Sequence, residues 1–270
     1  MLRQRILTAL VIGPISIACV FLLPPLAFTV FVGAVLAVAA WEWANLAGYA
    51  GPIRFVYAGA TIALMAGALT LPPVIVLGAG AVWWLAALFL VVRYPLSSEL
   101  WSSQTARTVI GMLILVPGIV ALRQLKLMDD STFLIMMLFL LIWGADAGAY
   151  FAGRAFGKAK LAPDVSPGKS WAGVYGGLAT GVVIAVLMSL LYGWPDLLSA
   201  RGVLLLSACV LVVLVSVRGD LAISMFKRHR GVKDSSNLLP GHGGFLDRID
   251  SLLSAGPVFS LFILAFGWAE

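Results

Sequence analysis

Asp220, Ser224 and Lys227 stand at i, i+4, i+7 in "DLAISMFK", a spacing that puts a carboxylate, a hydroxyl and an ammonium on one stripe of a helix. If a second helix begins near Phe245, Asp247, Asp250 and Ser254 form another polar stripe at i, i+3, i+7. Carboxylates gathered at membrane depth repel one another unless a cation lies between them, and hard oxygen ligands suit Mg²⁺. Asp220 and Asp247 are the pair expected to hold that ion. The segment joining the stripes supplies Lys227, Arg228, Arg230 and Lys233, then Gly241, Gly243 and Gly244 immediately before the second helix. Glycines let backbone approach an anion closely, and the free N–H groups of a helix start favour negative charge. The chemistry expected is therefore the handling of phosphate. His242, beside two of these glycines, fits a general base, a phosphate ligand or a spacer, and spacing does not separate the three.

A third stripe, Asp146, Tyr150 and Arg154 at i, i+4, i+8, lies in "GADAGAYFAGR". Gly144 and Gly148, with Ala145, Ala149 and Ala152, give the same segment small-residue surfaces for close helix packing, which also allow a homodimer. Downstream, "SPGKSWAG" uses Pro167 and Gly168 to present Lys169 and Ser170 in a short phosphate-contact turn; the upstream glycine of a nucleotide-binding P-loop is missing. Glu42 in "WEWANL" reads as a capped or interfacial residue rather than a catalytic one. Gly256-Pro257 reads as a helix kink.

The elements that carry these stripes follow from composition. With 270 residues, 61% hydrophobic and 11% charged, and a mean hydropathy of +1.03, the chain has too little polar surface to coat a soluble globule. It reads as an all-α polytopic membrane protein. A span needs about 20 apolar residues, and such runs occur near 6–23, 26–47, 55–71, 74–92, 108–122, 131–152, 171–192, 203–226 and 251–268. Turn chemistry separates them at Pro24-Pro25, Gly51-Pro52, Pro72-Pro73, Tyr94-Pro95, Ser166-Pro167-Gly168 and Gly193-Trp194-Pro195. The first five spans, in residues 1–130, form one part, and the last four, in residues 131–270, form the catalytic part. The N-terminal run lacks a small-residue cleavage site and reads as a retained span.

Alternating nine spans across a bilayer puts fourteen of the 18 lysines and arginines on one side, against Arg123, Lys126 and Arg201 on the other, with Arg218 inside a span. By the positive-inside rule the N-terminus and the loops 153–170 and 227–250 face the cytoplasm. Asp220 then lies about 26 Å along its helix, near the inner-leaflet phosphates. The net charge of +6 is explained by these loops, and no aromatic-interleaved basic patch suits nucleic acid. Cys19 and Cys209 sit in apolar runs and suit neither a disulfide framework nor a zinc site.

Residues 224–250, "SMFKRHRGVKDSSNLLPGHGGFLDRID", closely resemble the signature of the phosphatidate cytidylyltransferases, also called CDP-diacylglycerol synthases. Ser before Lys-Arg, the later Lys-Asp, His-Gly-Gly and Asp-Arg-x-Asp all occur without a gap, and "GADAGAYFAGR" and "SPGKSWAG" extend the likeness. Ala172 stands where many relatives carry an acidic or amide residue. The resemblance implies transfer of a cytidylyl group from CTP to phosphatidate with Mg²⁺, at a metal centre held by Asp220 and Asp247, and leaves open an accompanying monovalent cation. It implies a multi-pass protein of the bacterial cytoplasmic (inner) membrane. Lys227 and Asp250 join the two metal acids as catalytic candidates. Asp146, Tyr150, Lys169, Ser170, Ser224, Arg228, Lys233, Asp234, His242, Gly243, Gly244 and Arg248 become candidates for substrate binding.

Two other readings compete. An ion-coupled transporter would use Glu42, Asp146, Arg218 and Asp220, yet the polar residues cluster at one face instead of running through the full depth. A CTP-dependent polyprenol kinase would release CDP instead of pyrophosphate. The Asp-Gly-x-x-Ala-Arg pattern of enzymes that consume CDP-lipids is absent.

Overall fold

The computed structural model describes residues 2–192 and 198–266. The turn expected at Gly193, Trp194 and Pro195 and the last residues of the ninth span lie outside the described residues. Each expected span corresponds to a helix: α1 (Leu2–Leu22), α2 (Pro25–Ala47), α3 (Ile53–Ala68) and α4 (Pro73–Val92), then, after a four-residue helix α5 (Ser98–Trp101), α6 (Gln104–Lys126), α7 (Ser131–Phe156), α8 (Trp171–Tyr192), α9 (Ala200–His229) and α10 (Leu246–Ala265). Seven of these, α2, α4 and α6 to α10, are long and apolar enough to cross a membrane, while α3 and the apolar stretch of α1 are shorter. The protein is an all-α, multi-pass membrane protein. Helices are the form in which lipid-embedded backbone satisfies its own hydrogen bonds.

Their ends follow local chemistry. Pro25 and Pro73 open α2 and α4, where a missing N–H does no harm. Ser103 and Ser199 cap α6 and α9 by accepting the N–H groups of Ala106 and Gly202, each at 3.1 Å. Gly48, at φ 103°, ends α2 in the left-handed conformation that only glycine adopts easily. α10 runs through Pro257 without ending.

Two features escaped the periodicity of the sequence. α5 turns Trp101 inward, 2% exposed, against Phe226 and His229 of α9. Within the polar 153–170 stretch, β1 (Lys160–Ala162) and β2 (Ser166–Ser170) pair as an antiparallel hairpin that delivers Lys169 and Ser170 to the start of α8.

One apolar core draws residues from both parts of the chain. α10 packs on α2, α4 and α6 as well as on α7 and α9. The small-residue face of α7 lies against α8: a Cβ at Gly148 would overlap Thr180 Oγ1 and stand 2.7 Å from the Gly176 carbonyl. The surface considered for a homodimer is thus occupied within one chain. α9 and α10 meet as closely at Gly219, where a Cβ would overlap Ser254. Ser254 Oγ donates to Val215 O at 3.0 Å and Ser251 Oγ to Ser216 O at 3.3 Å, so these two hydroxyls of α10 are satisfied by α9 carbonyls.

Candidate active site

The tight contact between α9 and α10 brings the two acidic stripes to one end of the bundle, and the β-hairpin adds a third wall. Asp220 Oδ2 is paired with Lys169 Nζ at 2.7 Å, and its Oδ1 accepts the Ser224 hydroxyl at 3.1 Å. Lys169 also donates to Val217 O at 3.3 Å, which fixes the hairpin tip beside α9. Asp247 Oδ1 is paired with Lys227 Nζ at 2.6 Å. Its Oδ2 accepts Ser235 N at 2.8 Å, Ser235 Oγ at 2.9 Å and Gly244 N at 3.0 Å.

The two acids therefore differ as ligands. A carboxylate offers about four lone-pair positions. Asp247 meets three donors at Oδ2 and one at Oδ1, whereas Asp220 meets one at each oxygen. Asp250, which is buried, accepts Ser251 N at 2.7 Å, and Asp146 is exposed. Asp220 is close enough to Asp146 and Asp250 to interact with both electrostatically, and the Lys227 ammonium acts on Asp220, Asp247 and Asp250. Among the described residues no three or more His, Cys, Asp or Glu side chains are grouped closely enough to hold a metal by themselves. Mg²⁺ commonly takes one or two carboxylates and completes its shell with water and substrate phosphate. Asp220, with lone pairs to spare, fits that pattern. Asp247 offers Oδ1, whose one partner is Lys227, while its Oδ2 is filled by three donors.

Asp146 stands in the wall of two cavities. The larger, about 500 Å³, has Asp146, His242, Asp247, Arg248 and Asp250 in its wall and is otherwise lined mainly by apolar residues of α1, α2 and α6, including Ile12, Phe28 and Leu122. The smaller, about 320 Å³, is lined by Asp146, Tyr150, Arg154, Lys169 and Ser170.

The remaining candidates are placed unevenly. Tyr150 is exposed and accepts from Arg154 Nη1 at 3.3 Å. Ser170 is buried and accepts the Gly173 N–H, a helix-capping contact at the start of α8. Arg228 donates to Val165 O and Val232 O, tying the hairpin to the end of α9. Lys233, Asp234 and Arg248 are exposed at the rim. His242 Nδ1 is buried with no hydrogen-bond partner among the described residues. Gly243, at φ 82°, passes so close to Asp247 that a Cβ would stand 3.0 Å from Oδ2.

Sequence reasoning under-read Glu42. It is fully buried, and its carboxylate receives the loop that leads into α10. The one signal available was an acid between tryptophans at the end of an apolar run.

Residues 3–266 match the Cytidylyltransferase family, and the chain belongs to that family. It is an enzyme of the nucleotidyltransferase class. It is 51% identical to a phosphatidate cytidylyltransferase of Pseudomonas aeruginosa, with 99% of each chain covered. It is 43% identical to one of Haemophilus influenzae, covering 97% of this chain and 98% of the relative, and 35% identical to one of Brucella suis, covering 97% and 93%.

Proposed function

We propose that the chain transfers the cytidylyl group of CTP to phosphatidate, yielding CDP-diacylglycerol and pyrophosphate, at the cytoplasmic face of a bacterial inner membrane. The observation that carries this reading is that Asp146 stands in the wall of both a mainly apolar cavity and a smaller one walled by Lys169 and Arg154. The first suits acyl chains and the second suits a nucleotide triphosphate. The relatives named above, aligned over nearly the whole chain, support both substrates.

A lipid phosphate oxygen attacks the α-phosphorus of CTP in line. A P–O bond forms to the lipid while the bond between the α-phosphorus and the bridging oxygen breaks, and the electron pair leaves with pyrophosphate. Phosphatidate is already an anion, so the step needs positioning and charge neutralisation more than a strong base. Lys169, now paired with Asp220, and Arg248 are the cations that act on Asp146, and Lys227 is held on Asp247. Mg²⁺, when bound, supplies further neutralisation of the transferring and leaving phosphates. The carboxylate of Asp220 and the Oδ1 of Asp247 supply the oxygens that would hold it, beside the lysines that neutralise the same phosphates.

Protein purified in detergent and given phosphatidate, Mg²⁺ and CTP labelled at the α-phosphate is expected to carry the label into lipid and release pyrophosphate. Release of CDP that keeps the α-label, with none in the lipid, would identify a kinase and overturn the proposal.

A further inference from the structure

Glu42 lies on α2, in the part of the chain that carries none of the candidate catalytic acids, and its side chain is wholly buried. No lysine or arginine lies within ion-pair distance of it among the described residues; Arg54 acts on it only at longer range. Its charge is met by hydrogen bonds. Oε1 accepts Ser236 Oγ at 2.5 Å and Phe245 N at 3.0 Å, while Oε2 accepts Ser235 Oγ at 3.0 Å and Leu246 N at 2.7 Å. Three donors serve this carboxylate alone, and the fourth, the Ser235 hydroxyl, has a single proton that also lies within reach of Asp247 Oδ2. Two of the three are the N–H groups of Phe245, the N-cap, and Leu246, the first residue of α10, which have no partner within the helix.

The same contacts reach the candidate active site. Ser235 Oγ stands 3.0 Å from Glu42 Oε2 and 2.9 Å from Asp247 Oδ2, so the two carboxylates share its single proton, and Ser235 N donates to Asp247 Oδ2 as well. A Cβ at Gly244 would lie 2.5 Å from Glu42 Oε1 and overlap Ser235 Oγ, so the close approach depends on glycine there. Glu42 is itself held on a clamped helix end. Arg54 donates to Trp41 O, Arg107 to Leu46 O and Arg230 to Asn45 O, and Trp43 Nε1 donates to Arg107 O at 2.8 Å.

We infer that Glu42 is a positioning residue for the transfer reaction: a fixed buried anion on α2 that sets the start of α10, and with it the Asp247 carboxylate and the 241–246 backbone. This inference rests on the proposed cytidylyl transfer. It touches no substrate, and it acts through Ser235, Phe245 and Leu246.

Glutamine is a sharp probe because Phe245 N–H and Leu246 N–H point at different oxygens of Glu42. An amide NH₂ at either place must face a backbone donor that cannot turn away. Since a misplacement of about 1 Å can lower a rate about 100-fold, Glu42→Gln is expected to reduce kcat on that order. The KM values for CTP and phosphatidate should stay within about three-fold, because the substrate-facing groups remain. Amide exchange in residues 241–247 should quicken. Met65→Ala, a cavity in α3 remote from the loop, serves as the packing control and is expected to melt earlier while keeping its kcat.

The inference is overturned if Glu42→Gln keeps wild-type kcat, or if Met65→Ala at an equal loss of melting temperature shows the same fall in kcat. If Glu42→Gln fails to insert, Ser236→Ala decides: it removes the 2.5 Å contact on the carboxylate, along with an exposed contact from Leu238 N–H at 3.1 Å, and should lower kcat several-fold, and an unchanged kcat overturns the inference. Wild-type protein that moves no label from CTP into lipid defeats the proposed reaction instead, so the two failures are distinct.

Discussion

At the scale of single residues, the candidate active site is a set of acids whose counter-charges are lysines. Lys227 and Asp247 have side chains 9% and 4% exposed, so solvent screens their attraction little. Removing one partner leaves the other charge buried and unpaired, a change that costs about 3–5 kcal/mol. Lys227→Ala is therefore expected to destabilise the protein by that amount in a detergent unfolding titration, with part of the loss recovered when Asp247→Ala is added. A Lys227→Ala protein as stable as wild type would show that the ion pair is not formed. The spacing of Asp220, Ser224 and Lys227 was legible because all three lie on one helix, where the chain alone sets the geometry. The partners were not. Lys169 reaches Asp220 from a hairpin, and Ser235 and Ser236 reach Glu42 from a loop, and both meetings depend on how distant segments pack.

At the scale of elements, glycines decide which helices approach and so where the acids stand. Gly219 admits Ser254 beside Asp220, and Gly148 admits α8 against the helix of Asp146. Gly148→Val would drive side-chain carbon into Thr180 and the Gly176 carbonyl. Overpacking of this kind costs about 1–3 kcal/mol, so the variant is expected to melt earlier, with residual activity falling as α7 shifts. A melting curve superimposable on wild type would contradict the close α7–α8 contact. The spans were legible from apolar run length and proline placement, since lipid leaves backbone few alternatives to helix. The hairpin at Lys160–Ala162 and Ser166–Ser170 was not, because short polar strands carry no apolar period. The short helix α5 escaped for the same reason.

At the scale of the whole molecule, the account requires the acids, the basic loops and the start of α10 to share one membrane face. Arg54, Arg107 and Arg230 do converge on the C-terminal carbonyls of α2, while Lys126 donates to Val20 O at the C-terminal end of α1. In a background lacking Cys19 and Cys209, Lys233→Cys is expected to react with a membrane-impermeant maleimide only in inside-out vesicles, and Arg201→Cys only in spheroplasts. The reverse pattern would invert the topology read from the lysines and arginines. The central claim is that Asp220 anchors the transfer of a cytidylyl group where the two cavities share Asp146. It is tested most directly by the rate at which Asp220→Asn protein moves α-label from CTP into phosphatidate. Loss of a preorganised electrostatic contact of this kind lowers rates about 100- to 1,000-fold, and the account predicts at least that fall with membrane insertion and melting temperature preserved. A rate near that of the wild type would contradict it.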